Sequence, residues 1–296
     1  MTLSYSSVSQ DVSTISVPKA VVTSAFCPCD FECEYFEYAF GNNDSGSDEF
    51  KNDKTRILVK LTTLLDTVTF TLVDLISGFE YALNNTIYGE YFENEFSALN
   101  PLYAGLEIEW NKVLTIIGSS SYRIKISHEA LGRIFEKETH KYVVLPFDDV
   151  TANKTIRFKS THSGYLNTGF DYANLNWVNY IRLPSVIKSK NIIEEATNYT
   201  DLSERKKHTI QERTSTEWLV STDLIPSEVY NSLIYDKLKA DKLEISDYSV
   251  FAKEKLRNLE VTYKGIESVN WLSNNTKASW GINLEESQQK IKRYLR

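Results

Sequence analysis

Apolar residues recur at every second position along most of this 296-residue chain, and that period constrains the fold more than any other feature. Ile57, Val59 and Leu61, then Val68, Phe70 and Leu72, each place apolar side chains on one face of a strand, because successive strand side chains point to opposite faces. The same holds for Leu106, Ile108 and Trp110, and for Tyr122, Ile124 and Ile126. The pattern continues through Ile156 and Phe158, Trp218 and Val220, Leu243 and Ile245, Leu259, Val261 and Tyr263, and Ala278, Trp280, Ile282 and Leu284. Turn-forming clusters at Gly41–Gly46, Gly118–Ser121 and Ser273–Thr276 separate several of these runs and supply residues that reverse the chain. This spacing predicts a mainly β protein, with two antiparallel β-sandwich-like domains rather than βαβ units.

Helical periodicity is clearest at Val229, Tyr230, Leu233, Ile234 and Leu238, after the start signal Pro226-Ser227-Glu228, and predicts one amphipathic helix near residues 227–239. Tyr88–Leu99 and Glu285–Leu295 are expected as short helices, the latter with Ile291, Tyr294 and Leu295 on one stripe. Lys190–Thr216 is long and rich in Glu, Lys, Arg and Thr, and reads as a projecting solvated hairpin or a loop that reaches a neighbour in an assembly. Alternation lapses between about Ile126 and Thr139, which predicts three segments. These are an N-terminal arm with the first strands over 1–46, a first β domain over 47–130, and a second over 131–296 that carries the 190–216 projection. The polar, Val/Ser/Thr-rich stretch Met1–Ser24 is expected to add to a neighbour's sheet. No fixed-period repeat argues for a solenoid or propeller.

Composition removes several classes of function. A hydrophobic fraction of 42% with Tyr 18, Phe 14 and Trp 5 excludes a wholly disordered chain. A net charge of -7 without a long Lys/Arg block argues against a nucleic-acid partner. Met1–Gln10 has neither the cationic nor the apolar region of a secretory signal, so the product is expected to stay in the cytoplasm where it is made. The apolar stretches Leu64–Phe79 and Val113–Gly118 are short or interrupted by Asp66, Thr67 and Asp74, against the roughly 20 apolar residues of a membrane helix. No membrane partner is expected, and the Asn-x-Thr/Ser triplets at Asn43, Asn84, Asn153, Asn198 and Asn274 carry no glycan without secretion.

Cys27, Cys29 and Cys33 lie within one short segment, Cys-Pro-Cys-Asp-Phe-Glu-Cys, and are the candidate metal ligands. Three thiolates fall one short of tetrahedral zinc, so a fourth ligand from His128, His140, His162 or His208 would be required. A disulfide between Cys27 and Cys33 is a second reading. The reading that asks least is small buried side chains ahead of a strand at Glu34–Phe40. Catalytic signatures fail one by one: Gly132 stands where a zinc-protease helix needs its second histidine, and Ser163-Gly164 lacks the first glycine of a nucleophile elbow. Phosphate-cradling glycine loops are absent as well. Asp148-Asp149 and Asp171 read as turn residues rather than a carboxylate pair, and Phe170, Tyr172, Trp177 and Tyr180 as core aromatics rather than a sugar platform. The chain is therefore expected to be no enzyme, to have no catalytic residues and to need no cofactor.

Several strings carry a resemblance. They are Tyr103-Ala-Gly-Leu-Glu-Ile-Glu-Trp-Asn-Lys-Val-Leu114, Gly118 followed by Tyr122-Arg-Ile-Lys125, Thr155-Ile-Arg-Phe158, Phe170-Asp-Tyr172 with Trp177, and Ile181-Arg-Leu-Pro184. Glu217-Trp-Leu-Val-Ser-Thr222 and Ile245-Ser-Asp-Tyr248 belong with them. Across roughly residues 100–250 the chain resembles virion proteins of tailed phages that infect Bacteroidota, of crAss-like and flavobacterial type. The resemblance implies a β-rich structural component of a tail, neck or baseplate, located in the virion. Its partners would be further copies of itself in a symmetric ring and other virion proteins. The cysteine cluster has no counterpart in that pattern. The rival expectation is a carbohydrate- or host-surface-binding β-sandwich, marked by a concave exposed row of Trp and Tyr.

Overall fold

The computed structural model describes residues 36–41, 51–61, 65–84, 87–93, 103–130, 132–148, 152, 154–163, 165–166, 170–171, 177–201, 206–226, 238–247, 256–271, 277–287 and 290–293. The chain is mainly β, and its contacts divide it into two compact units, Met1–Pro146 with Ser163–Trp177, and Phe147–His162 with Val178–Arg296.

The first unit begins with β1 (Phe36–Gly41), β2 (Lys54–Lys60), β3 (Thr67–Asp74), β4 (Glu80–Ala82), β5 (Gly89–Glu93) and β6 (Tyr103–Glu109). Helix α1 (Trp110–Ile116) leads to β7 (Ser120–Ala130), β8 (Arg133–Glu138) and β9 (Lys141–Pro146). One sheet runs β1-β9-β7-β3-β4 with β8 also on β7, and a second runs β2-β6-β5. Every pairing is antiparallel except β1 on β9, where Phe36 to Gly41 run parallel to Lys141 to Pro146. Alternation produces burial as expected: along β3 Val68, Phe70, Leu72 and Asp74 are buried while Thr67 and Thr69 are exposed. Ile57, Val59, Leu106, Ile108, Phe70, Ile124, Trp110 and Val113 share one buried core to which both sheets and the helix contribute.

Three expectations change here. The boundary expected at 130/131 falls in the hairpin turn between β7 and β8, where Ala130 pairs with Arg133 and Gly132 adopts φ 73. Further along the same β7 edge, Thr139 bridges to β9, its backbone N–H donating to Ile124 O at 2.9 Å and its hydroxyl accepting from Ile124 N–H at 2.9 Å. The helix expected at Tyr88–Leu99 is strand at Gly89–Glu93, paired with β6, and residues 94–99 lie outside the described set. Trp110, expected to end a strand, instead opens α1, where Trp110, Val113 and Leu114 form the buried stripe.

An ion cluster pins β2 to β6. Glu107, buried, accepts from Lys54 Nζ at 2.6 Å and from Arg56 Nε. Burial pushes its carboxyl up, but the Lys54 hydrogen bond and the charges of Arg56 and Lys54 outweigh that and hold it below the usual glutamate range. A depressed folded pKa means that the stabilisation is complete above the unfolded value, about 4.3, and is lost as pH falls through the folded value. Glu107→Gln is expected to cost about 2 kcal/mol at pH 7. The gap from wild type should narrow at pH 3, as read from urea midpoints at the two pH values.

The second unit holds β10 (Thr155–His162), β13 (Trp177–Asp201), β14 (Lys206–Thr222), β15 (Ile225–Pro226), β16 (Lys242–Asp247), β17 (Leu256–Trp271), β18 (Lys277–Glu286) and β19 (Lys290–Arg293). The two-residue strands β11 (Tyr165–Leu166) and β12 (Phe170–Asp171) pair with each other and belong to the first unit. Where two facing sheets were expected, one sheet closes on itself: β10 pairs β16, β16 pairs β17, β17 pairs β18, β18 pairs β14, β14 pairs β13, and β13 returns to β10. Six strands so joined form a barrel. Closure is possible because β13 and β14 are long enough to pair different partners along their length, and because register shifts at Ile245/Asp247, Tyr263/Gly265 and Ile266/Ser268 bend the sheet. Gly265, at one of these shifts, has φ 143, a conformation that side chains resist. Ile156 and Phe158, Ile181 and Leu183, Trp218 and Val220, Leu243 and Ile245, and Trp280, Ile282 and Leu284 are all buried, the face a closed sheet turns inward. The C-terminal helix expected at Glu285–Leu295 is strand over Lys290–Arg293, because β14 continues past β18 and offers that segment an edge. The expected helix near 227–239 lies almost wholly outside the described residues, as does the arm Met1–Ser24.

Candidate assembly surface

The polar segment that suggested a projecting arm is the β13–β14 hairpin, antiparallel from Ser185↔Thr222 to Asp201↔Lys206. Its base is anchored in the barrel. Ser185 N–H donates to Lys154 O at 3.1 Å, and Trp218 and Val220 are buried. Beyond Ser185 the environment changes: from Val186 to Thr200 every β13 side chain that is described is exposed except Ile187, Ser189 and Ile193, which are half-buried. Val186 is 46% and Ile192 65% exposed. A strand with solvent on both faces lies over no core: from Val186 to Asn191 it lines the part of β14 that pairs with β18, and from Ile192 the hairpin extends past that pairing as a ribbon. At about 3.3 Å per residue, residues 186–201 give it about 50 Å of edge.

Contacts within the hairpin and to β18 order it. Lys190 Nζ stands 4.8 Å from the centre of the Trp218 ring on the neighbouring strand, and Thr209 donates to Asn198 Oδ1 at 2.8 Å across the hairpin. Arg213 reaches Glu195 at 3.9 Å and Glu285 at 3.6 Å. Glu285 also takes a 2.6 Å bond from Lys264, and that bond is the main reason its carboxyl sits below the ordinary glutamate range, against the upward push of burial. On the far side of β14 the strand β19 completes a third rail, with Gln211↔Arg293, Glu212↔Lys292, Arg213↔Ile291 and Thr214↔Lys290 in register. Among the described residues, β13 neighbours β10 and β14, its stretch Ser185–Asp201 lying in register with β14, and β19 neighbours β14 alone. Among the described residues, the ribbon therefore has two edges that no further strand lines.

The residues singled out for chemistry do not converge. Cys27, Cys29 and Cys33 lie outside the described residues, as do Asp149, Tyr172 and the side chains of Asp171, Trp177 and His208. His128 is buried against Asp66, with Nε2 3.1 Å from Oδ2, and His140 against Glu37 at 3.0 Å, each closed in the interior of the first unit. His162 is buried in β10, Asp148 is exposed, and Tyr180 lies under the Arg157 guanidinium at 4.8 Å. No group of three His, Cys, Asp or Glu placed to hold a metal occurs among the described residues. Sequence reasoning missed the buried Arg157 and Arg182, the latter donating to Thr155 Oγ1 at 3.3 Å; the signal was a charge between two core positions in Thr155-Ile-Arg-Phe158 and Ile181-Arg-Leu-Pro184. Trp110, Trp218 and Trp280, the tryptophans whose side chains are described, are all buried. No helix among the described residues is long and apolar enough to cross a membrane. No protein-family model matches the chain, and no curated protein matches it.

Proposed function

We propose that this protein is a non-enzymatic assembly subunit that joins its neighbours through strand addition at the β13–β14 ribbon, and that the assembly is a ring in the tail, neck or baseplate of a tailed-phage virion. The observation that carries the assembly reading is the edge over residues 186–201, in register with β14 on one side and without a strand on the other among the described residues. Monomeric proteins blunt or cover such edges, because a row of unpaired N–H and C=O groups is a template for another chain. The virion setting rests on the resemblance of the strings between residues 103 and 248.

Replacing residues 194–214 with Asn-Gly joins Ile193 to Ser215, which already face each other, and spares the barrel. The shortened protein is expected to keep its circular dichroism and run as a monomer by light scattering, while the full chain gives larger species as concentration rises. A full chain that stays monomeric throughout removes the assembly reading. Peptides of this protein are expected in gradient-purified tailed particles from lysates in which it is made; their absence removes the virion setting alone.

A further inference from the structure

The two edges of the ribbon differ in charge. Over the stretch where β14 is flanked on both sides, β13 carries Glu194 and Glu195 on one edge, opposite Thr214 and Arg213. On the other edge, β19 carries Lys290, Lys292 and Arg293, opposite Thr214, Glu212 and Gln211. Glu194 and Lys290 thus share one register position of the ribbon, one at each side. Glu195 has a 3.9 Å contact with Arg213 and is 66% exposed at its side chain, so its charge remains open to a partner.

From this placement we infer that the β13 edge of one copy pairs with the β19 edge of the next, an acidic segment against a basic one. The partner is a second copy of this chain. Both edge strands run antiparallel to β14, so copies related by rotation about an axis along the ribbon meet as parallel strands. The contact is heterologous, using different surfaces on the two partners, and the rotation between copies decides whether it closes into a ring or continues as a filament. A β13 edge meeting another β13 edge would use Lys188 and Lys190 against Glu194 and Glu195, but Lys188 sits at the register shift between Ile187 and Ser189 and Lys190 is held over Trp218. The β19 segment holds three basic residues within four positions of the sequence. This inference names the partner and surface of the assembly proposed above and rests on that reading.

Charge reversal tests it. Glu194→Lys/Glu195→Lys makes both edges basic, and Lys290→Glu/Lys292→Glu leaves both predominantly acidic. Each purified alone is expected to stay monomeric by light scattering at concentrations where wild type assembles. Mixed in equal amounts, the two should assemble again, because each edge then meets its opposite. The quadruple variant, which restores the net charge of -7 with the edges exchanged, should also assemble alone. Added salt should weaken every one of these contacts. Wild-type oligomers that persist in both double variants would overturn the edge pairing and leave the assembly reading standing. Loss in the glutamate variant alone would also overturn it, placing a different segment on β13. Circular dichroism of each variant separates failure to assemble from failure to fold.

Discussion

Trp110→Ala is expected to cost about 3–5 kcal/mol, the range for emptying a buried large aromatic site. Trp110 is 1% exposed at the junction of β6 and α1, its ring centre 4.9 Å from that of Tyr142, and its Nε1–H donates to Thr55 Oγ1 at 2.9 Å. It therefore ties the helix to one sheet through β2 and to the other through β9. Alanine leaves a cavity between them and withdraws the donor from a buried hydroxyl. Against a total stability of about 5–15 kcal/mol, such a loss brings the first unit near unfolding at room temperature. Trp110→Phe keeps most of the packing and should cost about 1–2 kcal/mol, chiefly the hydrogen bond. Urea midpoints followed by circular dichroism check both. A cost below about 1 kcal/mol for alanine would show that the site is not packed as described.

Ile282→Asp is expected to open the barrel. Ile282 is fully buried in the middle of β18, opposite Val220 on β14 and Ile266 on β17, at the ladder that completes the six-strand circuit. An ionised carboxylate there stands opposite apolar Val220 and Ile266, and burying it costs several kcal/mol beyond the lost apolar packing. The energetically accessible escape is separation of β14 from β18, which admits water. Amide exchange should then lose protection through β14, β17 and β18. Ile282→Val, which removes one methylene, should cost only about 0.5–1.5 kcal/mol and retain that protection. Asn283→Asp, half-buried on the opposite face, is expected to leave protection nearly unchanged. Protection retained in Ile282→Asp would place that residue outside the barrel interior.

The strands were legible because burial acts on single side chains, and their alternation is written directly into runs such as Val68, Phe70, Leu72 and Ala278, Trp280, Ile282, Leu284. The misread elements have equally local causes. Tyr88, Tyr91 and Phe92 have helical spacing, yet residues 89–93 are extended because β6 has an edge to fill. Trp110 continues the alternation of Leu106 and Ile108, while the spacing of Trp110, Val113 and Leu114 was the signal of the helix. For the candidate surface, polarity marked 190–216 as projecting, since a strand exposed on both faces, as β13 is from Glu194 to Asn198, keeps no apolar alternation to read. Its charge asymmetry was invisible along the chain, because Glu194 and Lys290 are brought to one level only by their shared register with Thr214.

By itself, then, the sequence determined that the chain is β-rich, which face of most strands is buried, and that the polar stretch 190–216 projects as a hairpin or a loop. Tertiary structure alone decided which strands are neighbours: that β1 lies parallel to β9, that β14 meets β18 and closes the barrel, and that β13 and β19 flank β14 at opposite sides of the ribbon. The physical reason is that side-chain burial repeats with the local period of the backbone, whereas edge pairing is a competition among backbone groups that are alike in every strand. Strand length, register shifts and the entropy of closing long loops settle that competition, and none of them has a periodic trace in the sequence.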